Sequence, residues 1–600
     1  MKPIVRMQNV TSEFSRPHWR NKFSLARFGC AWLAIFLAVS PLLAQGSVIQ
    51  GKLQAAAAAE RDGRYDEAAG LYQKCLSSLG PSAADAAVRV HVRTRLATDY
   101  YLLHRYRESL DAVIPVISKD SSAARAPVQA WLVDGLDRLE LGKLPGAIRS
   151  LRKTLVLNPD SGTARLALGD ALARSGRLEE SARQFEEQTR RTPSLPDAWY
   201  KLGLVYERLA AEASHVFAQK LPAGVVGRQL EARELMEAGD YLRAAGVLGR
   251  VLRQSPGQPQ AHAELGTVLL TLGYPRAAEN QFRQELSENP LSPLAELGLA
   301  ETAALSGNWQ EATSSLEQLS RSNPQELIRL TEIPPAGLVQ QAWREGRAQL
   351  PESLAGSLGG SLWKAWLDGS GVKVPSFVNQ ASEPCTQASS KAWATPGLWL
   401  SETCYRKLRD ELQSKKVLTP REREKLTEAE LRLGQFSPAR RDAQIVLQVN
   451  PRNEWALFWL NQSYGGLGEE CFLKVTALDP NSARNHQILA QYYANRRFFP
   501  AATKEFQAAL QLAPDLPDLH LGLGTVYWQS GDWPRSEREL SRTLELAPKS
   551  EAAQFGLGDT YLQERRWRDA RDLLKRDWAD PVLGMKARID LAKADEEIGN

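Results

Sequence analysis

The stretch LGLGTVYWQSGDWPRSERELSRTLELAP, residues 521–548, ends on a proline that returns at a fixed interval. Pro548 follows Pro514 by 34 residues, and Pro514 follows Pro480 by the same number. The prolines of this series are Pro159, Pro193, Pro222, Pro256, Pro290, Pro324, Pro451, Pro480, Pro514 and Pro548, with Pro581 one residue early. A period of this length indicates an array of small repeated units, and not several unrelated globular domains.

Each repeat predicts two helices joined by a tight turn. In the first helix, apolar residues recur at i, i+3 and i+7, as in Trp199, Leu202 and Tyr206, which is typical of one face of an amphipathic helix. A glycine such as Gly531 then suits the position after a helix that needs a positive φ angle. The proline ends the second helix because it cannot continue the hydrogen-bond ladder.

These residues resemble the tetratricopeptide repeat. Residues 199–206 fit its pattern W-x2-L-G-x2-Y, and residues 278–282 fit A-x3-F with Pro290 eight residues later. The resemblance implies an all-α fold, a right-handed α-solenoid of antiparallel helix pairs. It also implies that a partner binds along the concave side, which the first helices line.

The repeats divide the chain into two arrays. About eight repeats fit residues 49–326 and about five fit residues 420–584, with a non-repeat insert of mixed short helices at 327–419 and a C-terminal capping helix at 585–600. One short repeat of 29 residues occurs in each array, at 196–224 and 454–482. Adding 258 to the prolines around the first short repeat gives those around the second, which indicates a duplication. We expect each short repeat to lose part of its second helix, and the solenoid to bend near Ala211 and Glu469.

The N-terminal 46 residues have the composition of a signal peptide or a signal anchor. Six Lys and Arg residues stand against one acid before residue 30, and an uncharged apolar run follows from Cys30 to Ala44. This run is shorter than the roughly 20 residues that a membrane span needs, and small residues follow it at 44–46. We therefore expect export to the periplasm or the exterior, with an inner-membrane anchor facing the periplasm as the alternative.

The composition gives little support for nucleic-acid binding or catalysis. The net charge of +5 is small for 600 residues, and basic and acidic residues alternate throughout. The sequence has no HExxH motif, no G-x-S-x-G elbow and no phosphate-binding loop. His262, His486 and His520 occupy the tryptophan position of their repeats, where a packing role is expected. We expect no enzyme activity, no cofactor and no metal, and the alternative is a small catalytic insert at 327–395.

Two cysteines bracket the end of the insert. Cys385 and Cys404 lie 19 residues apart, and in an exported protein they could form a disulfide worth about 3 kcal/mol. The alternative is two unrelated buried thiols. Cys75 and Cys471 lie at repeat positions where a packed thiol is expected. Because no two cysteines have C-x2-C spacing, a structural zinc site is not supported.

The resemblance also assigns candidate partner-binding residues. In the tetratricopeptide family, positions 2, 5, 9, 12 and 13 of the first helix face the groove; we call these the groove positions. In the second array they give Arg484, Gln487, Gln491, Asn495, Asp518, Thr525, Trp528, Gln529, Phe555, Asp559 and Gln563. Amides beside aromatic residues suit an extended peptide, but Trp528 and Phe555 could equally pack against a neighbouring repeat.

These features favour a non-catalytic scaffold that binds a protein or peptide in the bacterial cell envelope. The alternative is an assembly factor held in the inner membrane through residues 31–44, in which case that segment is the only contact with the membrane. The lysine and asparagine that chaperone-binding members use at positions 5 and 9 are replaced here, for example by Leu53 and Ala57. A cytosolic chaperone adaptor is therefore disfavoured.

N-terminal sequencing of the protein from native cell envelopes distinguishes the two forms of export. We expect a start near Gln45 or Ser47, because small residues follow the apolar run there. A membrane-bound protein that keeps residues 31–44 would identify the anchor instead. Intact protein that starts at Met1 and is found only in the cytosol would contradict export altogether.

Overall fold

A computed structural model describes residues 46–80, 83–118, 126–220, 224–237, 239–331, 337–367, 396–495, 499–578 and 581–599. The regular structure in these ranges is helical, so the predicted all-α fold of stacked helix pairs is confirmed. The described residues up to Val205 form one compact body, and those from Tyr206 onward form another. We call them the N-terminal body and the C-terminal body. The apolar run 30–44 lies outside the described residues, among which no helix is long and apolar enough to cross a membrane.

The helices up to the insert are α1 Gly46–Arg61, α2 Tyr65–Ser78, α3 Ala83–Leu102, α4 Tyr106–Ile117, α5 Val128–Glu140, α6 Leu144–Leu157, α7 Gly162–Arg174, α8 Leu178–Arg191, α9 Pro196–Lys220, α10 Val225–Glu237, α11 Tyr241–Gln254, α12 Ala261–Thr271, α13 Pro275–Glu288, α14 Pro293–Leu305 and α15 Trp309–Ser322. Those of the insert are α16 Pro324–Thr331, α17 Gly337–Arg344, α18 Glu352–Ala355, α19 Leu358–Leu367 and α20 Glu402–Gln413. The second array and the C-terminus contain α21 Pro420–Arg432, α22 Phe436–Val449, α23 Glu454–Leu478, α24 Ala483–Asn495, α25 Phe499–Leu512, α26 Pro517–Ser530, α27 Trp533–Leu546, α28 Glu551–Gln563, α29 Trp567–Leu574 and α30 Pro581–Ile598.

The repeat at 517–548 illustrates how the sequence makes a helix pair. Helix α26 ends at Gly531, whose φ of +81° is the left-handed conformation that glycine adopts without a steric penalty. Asp532 then caps α27, because its side chain accepts a hydrogen bond from the backbone N–H of Arg535. The turn therefore reverses the chain within a few residues and brings the two apolar stripes together.

Glycines inside the first helices let neighbouring helices approach closely. A Cβ atom added at Gly266 on α12 would lie 2.6 Å from Cε1 of Phe282 on α13, a side chain that is fully buried. Gly524 on α26 meets Leu540 on α27 in the same way, with 2.9 Å to the Leu540 side chain. The second helix of each of these repeats therefore places a large apolar side chain over a glycine of the first.

The recurring proline also supplies a hydrogen-bond acceptor. The side chain six residues later contacts the proline carbonyl: Nε1 of Trp199 donates to Pro193, Nε2 of His520 lies 2.9 Å from the oxygen of Pro514, and Nε2 of Gln554 donates to Pro548. His520 also lies 2.8 Å from Glu539 through Nδ1, and His486 contacts Glu505 in the same manner. The expectation that these histidines have packing roles agrees with these contacts.

The short repeats differ from the sequence-based expectation. We expected a helix pair whose second helix is truncated, but α9 and α23 are each one uninterrupted helix of 25 residues. Gly468 occupies the same repeat position as the turn glycine Gly531. Unlike Gly531, it lies buried inside a helix, α23. With five residues fewer before the next proline, the chain has no length for a reversal and continues as one helix.

The described part of the insert packs onto the end of the first array. Helices α17 and α19 pack against α14 and α15. The ring of Trp309 on α15 lies edge-on to Trp363, at a centroid distance of 5.8 Å, and to Trp343, at 6.4 Å. Trp363 is fully buried. The expected short helices on the solenoid are therefore present over 337–367, whereas 368–395 lies outside the described residues.

The close approach at Gly266 gives a stability prediction. We expect Gly266→Ala to lower the free energy of unfolding by about 1–3 kcal/mol, because the new methyl group must displace the ring of Phe282. Gly246→Ala on α11 is the matched control, since the nearest atom to its added Cβ is Nη1 of Arg250 at 3.9 Å. The control should be neutral or stabilising by up to about 1 kcal/mol. Thermal unfolding followed by circular dichroism compares them, and equal midpoints would contradict the packing role of the glycine.

Candidate partner-binding groove

The candidate residues of the second array lie on α24, α26 and α28, the first helices of three successive repeats. Thr525, Gln529 and Gln563 are exposed. Partly buried are Arg484, Gln491, Asp518, Trp528, Phe555 and Asp559, and Gln487 is buried. Asn495 belongs to α24, but its side chain lies outside the described part of the chain. The helices that pack most closely against α24, α26 and α28 are their neighbours along the chain.

Polar side chains connect the groove positions to one another. Nη1 of Arg484 donates to Oε1 of Gln487 at 2.7 Å and lies 4.0 Å from Oδ2 of Asp518 on the next repeat. In the third repeat, Nε2 of Gln563 donates to Oδ1 of Asp559 at 3.2 Å. Burial raises the pKa of Asp559, although Gln563 and two lysines favour its charged form. The groove thus offers charged and amide groups that are already oriented by partners.

The two aromatic candidates have different surroundings. Phe555 lies edge-on to Trp578, at a centroid distance of 6.2 Å, and belongs to the apolar cluster between α28, α29 and α30. This contact accounts for Phe555 as a packing residue. The ring centroids of Trp528 and Trp533 are 6.5 Å apart, Trp533 being the first residue of α27 in the same repeat, and Trp528 remains partly exposed. Both side chains are partly buried, and of the two only Phe555 belongs to that apolar cluster.

Two of the duplicated positions in the first array, Val226 and Arg233, contact another segment of the chain, whereas Thr271, the duplicate of Gln529, is exposed. Val226 on α10 is the duplicate of Arg484, and it lies in an apolar cluster with Leu457, Phe458 and Trp459 of α23. Arg233, the duplicate of Gln491, has its guanidinium carbon 5.0 Å from the ring centroid of Phe458. These contacts join residues more than 200 positions apart, all within the C-terminal body.

The cover continues over the next two repeats. Helix α17 packs against α12 and α14, and Leu338 joins the apolar cluster that contains Leu270. The backbone of Gly397 also meets this array, because Nε2 of Gln260 lies 3.5 Å from its carbonyl oxygen. Sequence reasoning did not predict this covering. The available signal was the apolar side chain of Val226 at a position that is charged in its duplicate, Arg484.

Buried carboxyl groups with raised pKa values are candidates for chemistry, and their contacts account for them structurally. Asp137 in the N-terminal body is fully buried, which raises its pKa to about 8. Oγ of Ser109 lies 2.6 Å from Oδ2 of Asp137 and 2.7 Å from the carbonyl oxygen of Ala97. A hydroxyl has one proton, so both contacts are satisfied together only when Asp137 is protonated and donates to Ser109. Within the described ranges, no three His, Cys, Asp or Glu side chains are grouped to hold a metal ion.

The cysteines of the described ranges have separate surroundings. Cys75 and Cys471 are buried, as the repeat positions predicted. Cys404 is buried on α20, with its sulfur 3.3 Å from Oγ of Ser401. Cys385 lies outside the described residues, so the Cys385–Cys404 disulfide stays a prediction.

Comparisons with known proteins agree with the helix pairs. One family model described as tetratricopeptide repeat matches residues 132–196, 230–273, 264–326, 488–535 and 521–581, and a second matches 53–87. Cellulose synthase 1 operon protein C of Komagataeibacter xylinus is 29% identical over 209 residues, 35% of this chain and 14% of that protein. Cellulose synthase operon protein C of the same organism is 31% identical with the same coverage. The match therefore spans about one seventh of the length of these relatives.

Solved structures give a weaker comparison. A thermophilic TPR protein of Thermus thermophilus is 22% identical to this chain, with a TM-score of 0.15. The match covers 34% of this chain and 94% of that structure. A likeness at this level carries no argument about the function of this chain.

The protonated state of Asp137 gives a pH prediction. The unfolded chain titrates this carboxyl near pH 4, whereas the folded chain keeps the proton up to about pH 8. The free energy of unfolding should therefore fall as pH rises from about 4 to about 8, by the contribution of this group. We expect Asp137→Asn, whose amide can donate to Ser109, to be more stable than the wild type by about 1–3 kcal/mol at pH 8.

Thermal unfolding of both proteins at pH 5 and pH 8 tests this expectation. The difference in midpoint between the variant and the wild type should be small at pH 5 and larger at pH 8. A difference that is independent of pH would contradict the assignment of a protonated carboxyl to Asp137.

Proposed function

This chain belongs to the tetratricopeptide-repeat family, and we propose that it is a non-catalytic scaffold that binds a protein or peptide along α24, α26 and α28. A pair of amphipathic helices buries its apolar faces only by stacking on its neighbours, which leaves the first helices as a continuous surface for a partner. The relatives' likeness and the repeat pattern support an interaction role. The choice of the second array rests on the comparison of the two duplicated halves.

The observation that carries the proposal is the difference between the duplicated groove positions. In the first array, α23 packs over Val226 and Arg233 and α17 packs against α12 and α14, so at these places the chain itself is the occupant. In the second array, Thr525 and Gln563 are exposed, whereas their duplicates Thr267 and Leu305 in the first array are partly buried. Arg484 stands in the duplicate where the first array has Val226, and a charged side chain there disfavours an apolar cover.

The chemistry of this surface suits an extended peptide. Amide groups of Gln529 and Gln563 can both donate to and accept from a peptide backbone. Trp528 supplies an apolar contact through the exposed part of its ring, whose nitrogen is buried. Arg484 and Asp518 present opposite charges on adjacent repeats, which favours a partner with both signs of charge along its length.

The location that fits best is the cell envelope. The basic and apolar segments before residue 46 support export, and the relatives' names refer to a cellulose synthase operon, which supports a role beside polysaccharide synthesis. The second candidate is an assembly factor anchored in the inner membrane through residues 31–44. A catalytic insert at 327–395 is less favoured, because Trp363 and Trp366 of its described part are buried in the apolar cluster with α15.

Site-specific photo-crosslinking in cells tests the groove. We expect a photoreactive amino acid at Gln529 or Gln563 to capture a partner protein, since both side chains are exposed at groove positions. The matched control is Gln511, an exposed glutamine on α25, the second helix of its pair. Trp528→Ala should reduce the adduct at Gln529 by roughly tenfold or more while leaving the expression level unchanged.

Equal adducts at Gln511 and Gln529 would contradict a partner in the groove. If Trp528→Ala leaves the adduct at Gln529 intact, the partner binds in the groove but does not contact Trp528. Deletion of 337–367 with loss of a measurable turnover, in a protein that remains folded, would support the catalytic alternative instead.

A further inference from the structure

Two sets of groove positions face each other inside the C-terminal body. Helix α23 is the short repeat of the second array, and Trp455 and Phe458 occupy its groove positions 2 and 5. Phe458 lies on Arg233 of the first array, at 5.0 Å from the guanidinium carbon to the ring centroid. Val226 and Leu230 of α10 complete the apolar side of the contact. The first array therefore holds α23 where a partner of a tetratricopeptide array would lie.

The segment that fills this face has the form of a helical ligand. Trp455, Phe458 and Trp459 stand at i, i+3 and i+4, so they form one stripe of α23. Their rings pack on one another, with centroid distances between 4.8 and 5.6 Å. An amphipathic helix that lays such a stripe into an apolar groove is a recurrent mode of peptide recognition.

The receptor side is held in place independently of α23. The guanidinium of Arg233 pairs with the buried carboxylate of Glu264, and its Nη2 donates to Oε1 of Gln260 at 3.1 Å. Both partners belong to the next repeat of the first array. The cationic surface on which Phe458 lies is therefore fixed by the array itself and would persist when α23 leaves.

The closed contact contains a largely buried cation, Arg432, which hydrogen-bonds the Tyr405 side chain but has two donors without an acceptor. The guanidinium of Arg432 lies over the ring of Trp399 at 3.8 Å and near that of Trp459 at 5.3 Å. Its Nη2 is 3.8 Å from Oε1 of Glu428, longer than a hydrogen bond. Among the described residues, no acceptor reaches Nε or Nη2 of Arg432, or Nε1 of the buried Trp459. Because unsatisfied buried donors destabilise the state that holds them, the closed state is easier to open than an apolar contact of the same size.

We propose that α23 is a displaceable internal ligand, and that the face of α10 carrying Val226, Leu230 and Arg233 is a second partner-binding surface that the chain covers itself. The partner that fits it is a protein helix with aromatic side chains at i, i+3 and i+4. Such a helix replaces the stripe of α23 on the same three residues and frees the donors of Arg432 and Trp459. This surface is separate from the groove of α24, α26 and α28.

A labelled peptide of residues 452–467 is the probe, titrated into the purified full chain and followed by fluorescence anisotropy. We expect Phe458→Ala in the chain to raise the affinity for the peptide by roughly tenfold or more, because the chain's own helix then competes less well. Val226→Arg, which copies the duplicate residue Arg484, should remove that gain when combined with Phe458→Ala. A control peptide in which Phe458 and Trp459 are both alanine should not bind.

Equal affinity of the wild type and Phe458→Ala, or a gain that survives Val226→Arg, would overturn the proposal. Hydrogen exchange of the unaltered chain provides a test that does not depend on how the variants fold. Excess peptide should protect the amides of 226–236 and raise the exchange rates of the chain's own 455–461 by about twofold or more. Unchanged rates in both segments would also overturn it.

Discussion

A helix pair of this chain cannot bury its own apolar faces, and the rest of the structure depends on that constraint. Each first helix needs the second helix of its own repeat on one side and the next repeat on another. Close approaches occur where a glycine of a first helix meets a large side chain, as Gly266 meets Phe282. Because each repeat of such a stack contacts mainly its neighbours, the array extends by addition of repeats, and its ends and its short repeats must pack differently.

The end of the first array and the start of the second are packed against different segments. The first array ends on the insert, whose tryptophans bury one another against α15. The second array begins on α20, whose Tyr405 and Leu408 lie in a cluster with Leu426 of α21. Trp399 stands at the meeting point, with its backbone N–H donating to Oδ1 of Asn289 and its ring under Arg432. The insert thus contacts both the first array, through Asn289, and the start of the second array, through Leu426.

Local features of the molecule could be read from the sequence, and contacts distant in sequence could not. The proline period predicted the helix pairs, and the tryptophan position predicted the packing roles of His486 and His520, because both depend on residues within one repeat. The fused helices α9 and α23 were located but assigned the wrong internal structure, since the expected second helix was inferred from the 34-residue repeats around them. The contact of Phe458 with Arg233 depends on two faces that are 225 residues apart, and no periodicity encodes it.

The fused helix α23 also has a consequence for how force and heat act on the chain. The contact between α23 and the first helix of the next repeat, α24, is less extensive than most contacts between adjoining repeats. The stability of such a stack is approximately the sum of the stability of each repeat and the energies of the contacts between neighbouring repeats. Where one of these contacts is weak, the repeats on its two sides can unfold separately. We therefore expect the described helices from Ala483 onward to unfold as a block while the rest of the C-terminal body stays folded. A pulling force on the C-terminal end would first separate α24 from α23, at the junction after Leu478.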